Sequence, residues 1–297
     1  MARTLFARGT KGELIQELQL KLGMPNATGN YFDQTVAAVQ AEQTKRGMTS
    51  TGIVDFDFWP AVMERPVPTV FERALQLTAA FEGSGFTLAE GNFDGAGLTW
   101  GFIGFTLHGG ELAKVLGRIA IECPGALEEC FGDLLPSLLQ KLAAPWPEQL
   151  EWANSISLGT SKDQLQPAWR DAFAKLGAKP EAQRVQFERA QDVYKPLAER
   201  IAGDWNLKSE LGFALAFDIA VQNSYDQKLR DMISAGIQAK TPASELNTRV
   251  IIAHAVSEHS LAAFQADVLS RKLLIATGSG TAHGVAYTLN NWGLADT

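Results

Sequence analysis

The chain is poor in the residues that build covalent or metal-held frameworks: among 297 residues there are two cysteines, Cys123 and Cys130, and four histidines. Two cysteines are too few for a disulfide scaffold or a zinc cage. Pro124-Gly125 between them argues for a break or a helix start, and two partly buried free thiols are expected. His254 and His259 fall on a helix with no acidic or cysteine partners at ligand spacing, so no metal is expected. A basic excess is also missing. Asp and Glu number 33 against 26 Lys and Arg, a formal charge of −7, which argues against nucleic acid as a partner. No apolar run approaches the roughly 20 residues that span a bilayer, so no membrane insertion is expected. The start, Met1 to Arg8, lacks the apolar stretch and cleavage site of a secretory leader, and synthesis in the cytoplasm without a signal peptide is expected. The glycine-rich run Thr277 to Gly284 lacks the Lys-Ser/Thr ending of a phosphate loop, which excludes a nucleotide site.

What is present divides into two parts. A hydrophobic fraction of 46% with 20% charged residues supplies an ordinary core. From Gly9 to Met63, Leu14, Ile15, Leu18, Leu20 and Leu22 make a helical stripe that Gly23 ends. A turn-rich stretch follows, then a second helix from Asp33 through Val36 and Val39 towards Lys45, stopped by Gly47. The pattern Gly9, Gly12, Leu18, Gln19, Leu22, Gly29, Phe32, Thr35, Ala38, Val39, Gly52, Val54, Asp55 and Trp59 resembles the type 1 peptidoglycan-binding domain. It departs from that family at Gln43, near the usual Phe-Gln pair. The resemblance implies a three-helix module over residues 1–63 that docks on cell-wall glycan or its peptide stems; the alternative is a small helical domain used only for packing. Residues 64–70, with Pro66 and Pro68, read as a semi-rigid linker.

Residues 71–297 read as a mainly α domain with a small β patch near Thr99 to Leu107. Helices are expected at Phe71–Phe81, Glu111–Ile121, Leu134–Leu142, Gln164–Leu176, Glu181–Ala202 and Leu207–Gln222, with one or two more between Leu246 and Arg271. The chemistry is concentrated where the first of these helices ends. Glu82, between Phe81 and a glycine-rich run to Phe86, is placed for a desolvated carboxyl with a raised pKa, suited to a general acid. Asp94 lies in a glycine-rich turn where water and backbone N–H groups keep a carboxylate ionised. Thr99, in the strand, offers a hydroxyl to orient water. Glycines 95, 97, 101 and 104 leave backbone uncovered for a close-lying polymer. Paired carboxylates in different environments are what glycosidic-bond hydrolysis requires. Glu90 is a competing carboxylate in the same loop; a plain turn with a solvated helix end is the structural alternative.

The run Asp94-Gly95, Gly97, Thr99, Gly101, Ile103-Gly104-Phe105 resembles the active-site segment of family 46 chitosanases, and Glu-Gly, Asp, Thr-x-Gly also resembles the family 24 phage-type lysozymes. Both resemblances imply a lysozyme-like α+β fold, Glu82 as acid, Asp94 as base or charge stabiliser, Thr99 as the water-positioning group, and no cofactor. Ala96 stands where the chitosanase segment commonly has arginine, and the Glu–Asp spacing lies between those of the two families. Trp100 is a candidate for substrate contact. Asp218, Gln222, Asn223 and Tyr225 fall along one helix and its end, where they either line a substrate groove or satisfy the core, and His283 is a candidate sugar donor or a turn residue.

The expected function is a monomeric peptidoglycan hydrolase, a muramidase that cleaves the MurNAc-β-1,4-GlcNAc bond with inversion. It would act as an endolysin or antibacterial effector delivered to the wall through a holin or a secretion system. The alternatives are a chitosanase, which the acidic charge favours, or a non-catalytic wall-binding protein on a lysozyme-like scaffold.

Overall fold

The computed structural model describes residues 2–82 and 85–297, with the backbone alone at Glu82. The chain forms two compact units, residues 1–81 with 194–297, and residues 82–193.

The first unit opens with β1 (Thr4–Phe6), α1 (Glu13–Lys21), α2 (Asp33–Lys45), β2 (Val54–Asp55), α3 (Phe58–Met63) and α4 (Val70–Glu82). β1 and β2 pair antiparallel, Phe6 opposite Val54. The predicted helical stripe closes a core in which Ile15, Leu18, Val39, Phe58 and Trp59 are fully buried. Leu20, one position off that face, is 63% exposed. Polar groups finish the module: Gln19 donates to Thr35 Oγ1 (2.7 Å) and accepts from Gly29 N–H (2.8 Å), while Gln43 donates to Ile53 O (2.8 Å) and accepts from Gly52 N–H (2.9 Å). Gln43 thus secures the turn that delivers β2.

Residues 64–70 lie along the module. Trp59 Nε1 donates to Pro66 O at 3.1 Å, Arg65 covers the Trp59 ring at 5.1 Å, and Val67 packs on the core. The module is joined to the rest of its unit by direct bonds. Leu14 N–H donates to Gln76 Oε1 (2.9 Å), Ala7 N–H and Thr10 Oγ1 donate to Asn291 O, and Glu210 accepts from both Arg3 and Arg73.

The second unit begins with the antiparallel sheet β3 (Ala89–Glu90), β4 (Thr99–Trp100) and β5 (Phe105–Thr106), in that order. Five helices follow: α5 (Glu111–Glu122), α6 (Ala126–Phe131), α7 (Leu135–Leu142), α8 (Trp146–Ile156) and, after the hairpin β6 (Ser157–Leu158) and β7 (Gln164–Leu165), α9 (Pro167–Gly177). Its core is aromatic. Phe131 meets Phe173 edge-on at 4.9 Å, Trp152 meets Trp169 at 5.2 Å, and Phe86 lies 4.6 Å from Phe102. Both cysteines are free thiols whose pKa burial pushes up.

The 25-residue helix α10 (Pro180–Asp204) runs from the second unit into the first. The first unit then resumes with α11 (Glu210–Gln222), α12 (Gln227–Lys240), α13 (Glu245–His259), α14 (Gln265–Thr277) and the hairpin β8 (Ser279–Ala282) and β9 (Val285–Thr288). α11, apolar on nearly every side, is buried along most of its length, and Ser209 caps it by accepting from Gly212 N–H. No helix among the described residues is long and apolar enough to cross a membrane.

Candidate active site

The glycine-rich run folds into a turn and a three-stranded sheet. Asn92 organises the turn: its Oδ1 accepts from Gly97 N–H and its Nδ2 donates to Asn154 Oδ1, both at 2.9 Å. Asp94 Oδ1 accepts from Ala96 N–H at 2.9 Å, an Asx turn that sets the direction of an exposed carboxylate. Leu98 O and Ala96 O then accept from Leu107 and His108 N–H, which locks the turn to the strand beyond.

Register decides which side chains share a face. Glu90 stands opposite Thr99, and Thr99 opposite Thr106. Directly opposed residues project to the same side of a sheet, with Cβ atoms about 4.5–5.5 Å apart. These three line a recess of about 180 Å³ together with Asp94, Leu88 and Ile103, and Phe93, 50% exposed, forms part of its wall. Thr99 Oγ1 is buried there without a hydrogen-bond partner among the described residues. A buried unpaired hydroxyl costs about 1–3 kcal/mol, and a recess of this size holds the water or sugar hydroxyl that would satisfy it.

Strand alternation corrects one expectation. Trp100 follows Thr99, so it projects to the opposite face, where it is fully buried and donates from Nε1 to Phe173 O at 3.2 Å. It is a core residue and does not contact substrate. The glycines also differ from expectation. Gly95 faces open space, but a Cβ on Gly97 would press on Leu107, one on Gly104 on the Thr99 methyl, and one on Gly101 would sit 2.2 Å from Gln186 Oε1. These three serve tight turns and close packing. With φ at +90°, Gly101→Ala is expected to cost about 1–3 kcal/mol from backbone strain alone, and more from the collision, read by denaturant unfolding.

Glu82 is the last residue of α4; its side chain lies outside the described residues. The remaining candidates belong to the first unit. Asp218 is fully buried, bonded to Arg271 and Lys272 and accepting from Thr78 Oγ1 at 3.0 Å. The two cations hold its carboxyl well below the usual range against the opposing effect of burial, and it is closed to substrate. Gln222 accepts from the same Lys272 at 2.7 Å, and Tyr225 donates to Asp204 at 2.8 Å. Asn223 Oδ1 is buried without a partner among the described residues. His283 occupies the β8–β9 turn with both ring nitrogens engaged. No group of three metal-ligating side chains occurs among the described residues.

Sequence reasoning missed Phe93. Its signal was an aromatic residue inside a polar turn, where neither helix nor strand periodicity needs one. Glu90, read there as a competing carboxylate, stands across from Thr99 in the recess.

Residues 11–61 match the family model described as "Putative peptidoglycan binding domain". No curated protein sequence matches the chain significantly. Among solved structures, the fold is similar to a mutant chitosanase from Bacillus subtilis MY002 complexed with 6 GlcN. That match has 17% identity and a TM-score of 0.52 and covers 73% of this chain and 98% of that one. The native chitosanase from the same source matches at 18% identity and a TM-score of 0.50, over 70% of this chain and 86% of that one. A further chitosanase complex matches at 18% and 0.50, over 73% and 94%. At these identities the likeness is one of fold. The chain therefore combines a helical module that matches the putative peptidoglycan-binding family model with a mainly α fold similar to that of these chitosanases.

Proposed function

We propose that the protein is a glycoside hydrolase that cleaves the glycan of cell-wall peptidoglycan. The observation that carries this reading is the recess in which the Asp94 carboxylate and the unpaired Thr99 hydroxyl line one wall system, a place for a held water. Glu82, ending α4, supplies the proton to the leaving oxygen, and Asp94 takes a proton from the water that Thr99 orients. Phe93 offers an apolar face to a sugar ring at the edge of the recess. The module supports peptidoglycan as substrate, because a bound wall polymer presents its glycan at high effective concentration. On this reading the enzyme works in the wall as a monomer and needs no cofactor.

A chitosanase is the second reading. It is supported by two carboxylates in the recess and the net charge of −7, which suit a polycationic glucosamine polymer. Digestion of purified peptidoglycan and of chitosan, followed by borohydride reduction and mass spectrometry, separates the two. Reduced muramic acid ends are the expected result. Oligomers from chitosan alone would establish the second reading, and no release from either polymer would leave a wall-binding protein.

A further inference from the structure

His283 stands at the first of the two positions between β8 and β9, with φ of 48°, and Gly284 follows at 76°. A two-residue hairpin turn with both φ positive favours Asn, Asp or Gly at its first position. Histidine is among the non-glycine residues that take up positive φ more readily than most, at a modest cost in backbone strain. What holds it is visible at the ring: Nδ1 lies 3.0 Å from Phe81 O, and Nε2 lies 3.2 Å from Asp267 Oδ2 on α14. Phe81 O is one of the carbonyls that the end of α4 leaves without a helical partner.

Both neighbours of the ring are acceptors. A neutral imidazole carries one N–H, so either tautomer turns a lone pair on an oxygen; only the imidazolium donates to both. A cation at a helix C-terminus is also favoured by the helix dipole. The other charged or titratable groups around this contact are Arg271 of α14, whose guanidinium covers the Phe81 ring at 4.8 Å, and Tyr287 of β9, whose ring meets Phe81 at 5.0 Å and whose hydroxyl pKa is raised by burial.

We propose that His283, as the imidazolium, is a positioning residue that ties the last turn of α4 to α14 and so fixes the backbone from which Glu82 projects. The inference rests on the hydrolase reading for its catalytic consequence and on the ring geometry alone for the tie. It accounts for the strained turn and for an aspartate on the far side of the ring.

Two measurements on the full-length protein test it. In ¹⁵N-resolved NMR of the imidazole, both ring nitrogens of His283 are expected to carry hydrogen-bonded protons, and Asp267→Asn is expected to weaken the hydrogen bond at Nε2. A single protonated nitrogen would overturn the proposal whether or not the protein cleaves glycan. On whichever polymer the wild type digests, His283→Ala is expected to lower kcat about 10- to 100-fold with KM little changed. His283→Arg, which keeps two donors and a permanent charge, is expected to restore kcat. Equal activity in wild type and His283→Ala, or failure of Arg to outperform Ala, counts against it. A wild type inactive on every polymer together with a doubly protonated ring would reject the hydrolase reading and retain the tie.

Discussion

Asp218→Asn is expected to lower the free energy of unfolding by about 3–5 kcal/mol, the usual cost of stranding buried charge. The side chain barely changes size, so the effect is electrostatic. Asp218, Arg271 and Lys272 are all fully buried; Arg271 Nη2 lies 2.7 Å from Oδ1, and Lys272 Nζ bonds Oδ2. An asparagine removes the carboxylate that both cations bond and puts a neutral amide in its place. Urea titration should show a lower midpoint with an unchanged slope. The pH dependence supplies a second check. Because the folded carboxyl is held below its unfolded value of about 3.9, its contribution is complete at neutral pH. That contribution fades as pH falls below about 4 and is lost through the depressed folded value. The variant should lack this component, so its stability should fall less steeply with acid than that of the wild type.

The same cluster shows why part of the candidate site was legible and part was not. Asp218 on an apolar helix is visible in the sequence as an anomaly, but its partners lie 53 and 54 residues away on α14, a pairing that no spacing rule reaches. The helical module was legible because its signals are local: a 3.6-residue stripe, glycine stops, and a turn of fixed length. The helix α8 was not among the expected helices; Pro147 falls in its first turn, where a proline lacks only an N–H that would have no partner there. The first two residues of the predicted helix Gln164–Leu176 instead form β7, and Pro167 opens α9. Two-residue strands such as β3 and β5 carry no periodicity, yet their register is what brings Glu90 beside Thr99 and sends Trp100 to the core. The candidate residues were therefore readable from sequence as residue types; which face each one occupies depended on pairings between strands.

The largest effects on activity are expected at Glu82 and Asp94. On the proposed hydrolase reading, Glu82→Gln and Asp94→Asn each remove a proton-transfer group while preserving shape, and each should lower kcat by about 10²- to 10⁴-fold. Asp94 is exposed and bonded only to the nearby Ala96 N–H among the described residues, so Asp94→Asn should leave stability within about 0.5 kcal/mol of wild type. Thr99→Val separates function from architecture more sharply. Valine keeps the methyl that rests beside Gly104 and deletes a hydroxyl that is buried without a partner. If the hydroxyl is there to hold the attacking water, Thr99→Val should lower kcat while leaving stability within about 0.5 kcal/mol of wild type, because among the described residues no protein hydrogen bond is lost with it. A hydroxyl retained for structure predicts the reverse, full activity with lost stability. Steady-state kinetics and thermal unfolding on the same preparations distinguish these outcomes. The contrasting outcomes make Thr99→Val more diagnostic than either carboxylate variant, since loss of a carboxylate alone does not reveal where the water is held.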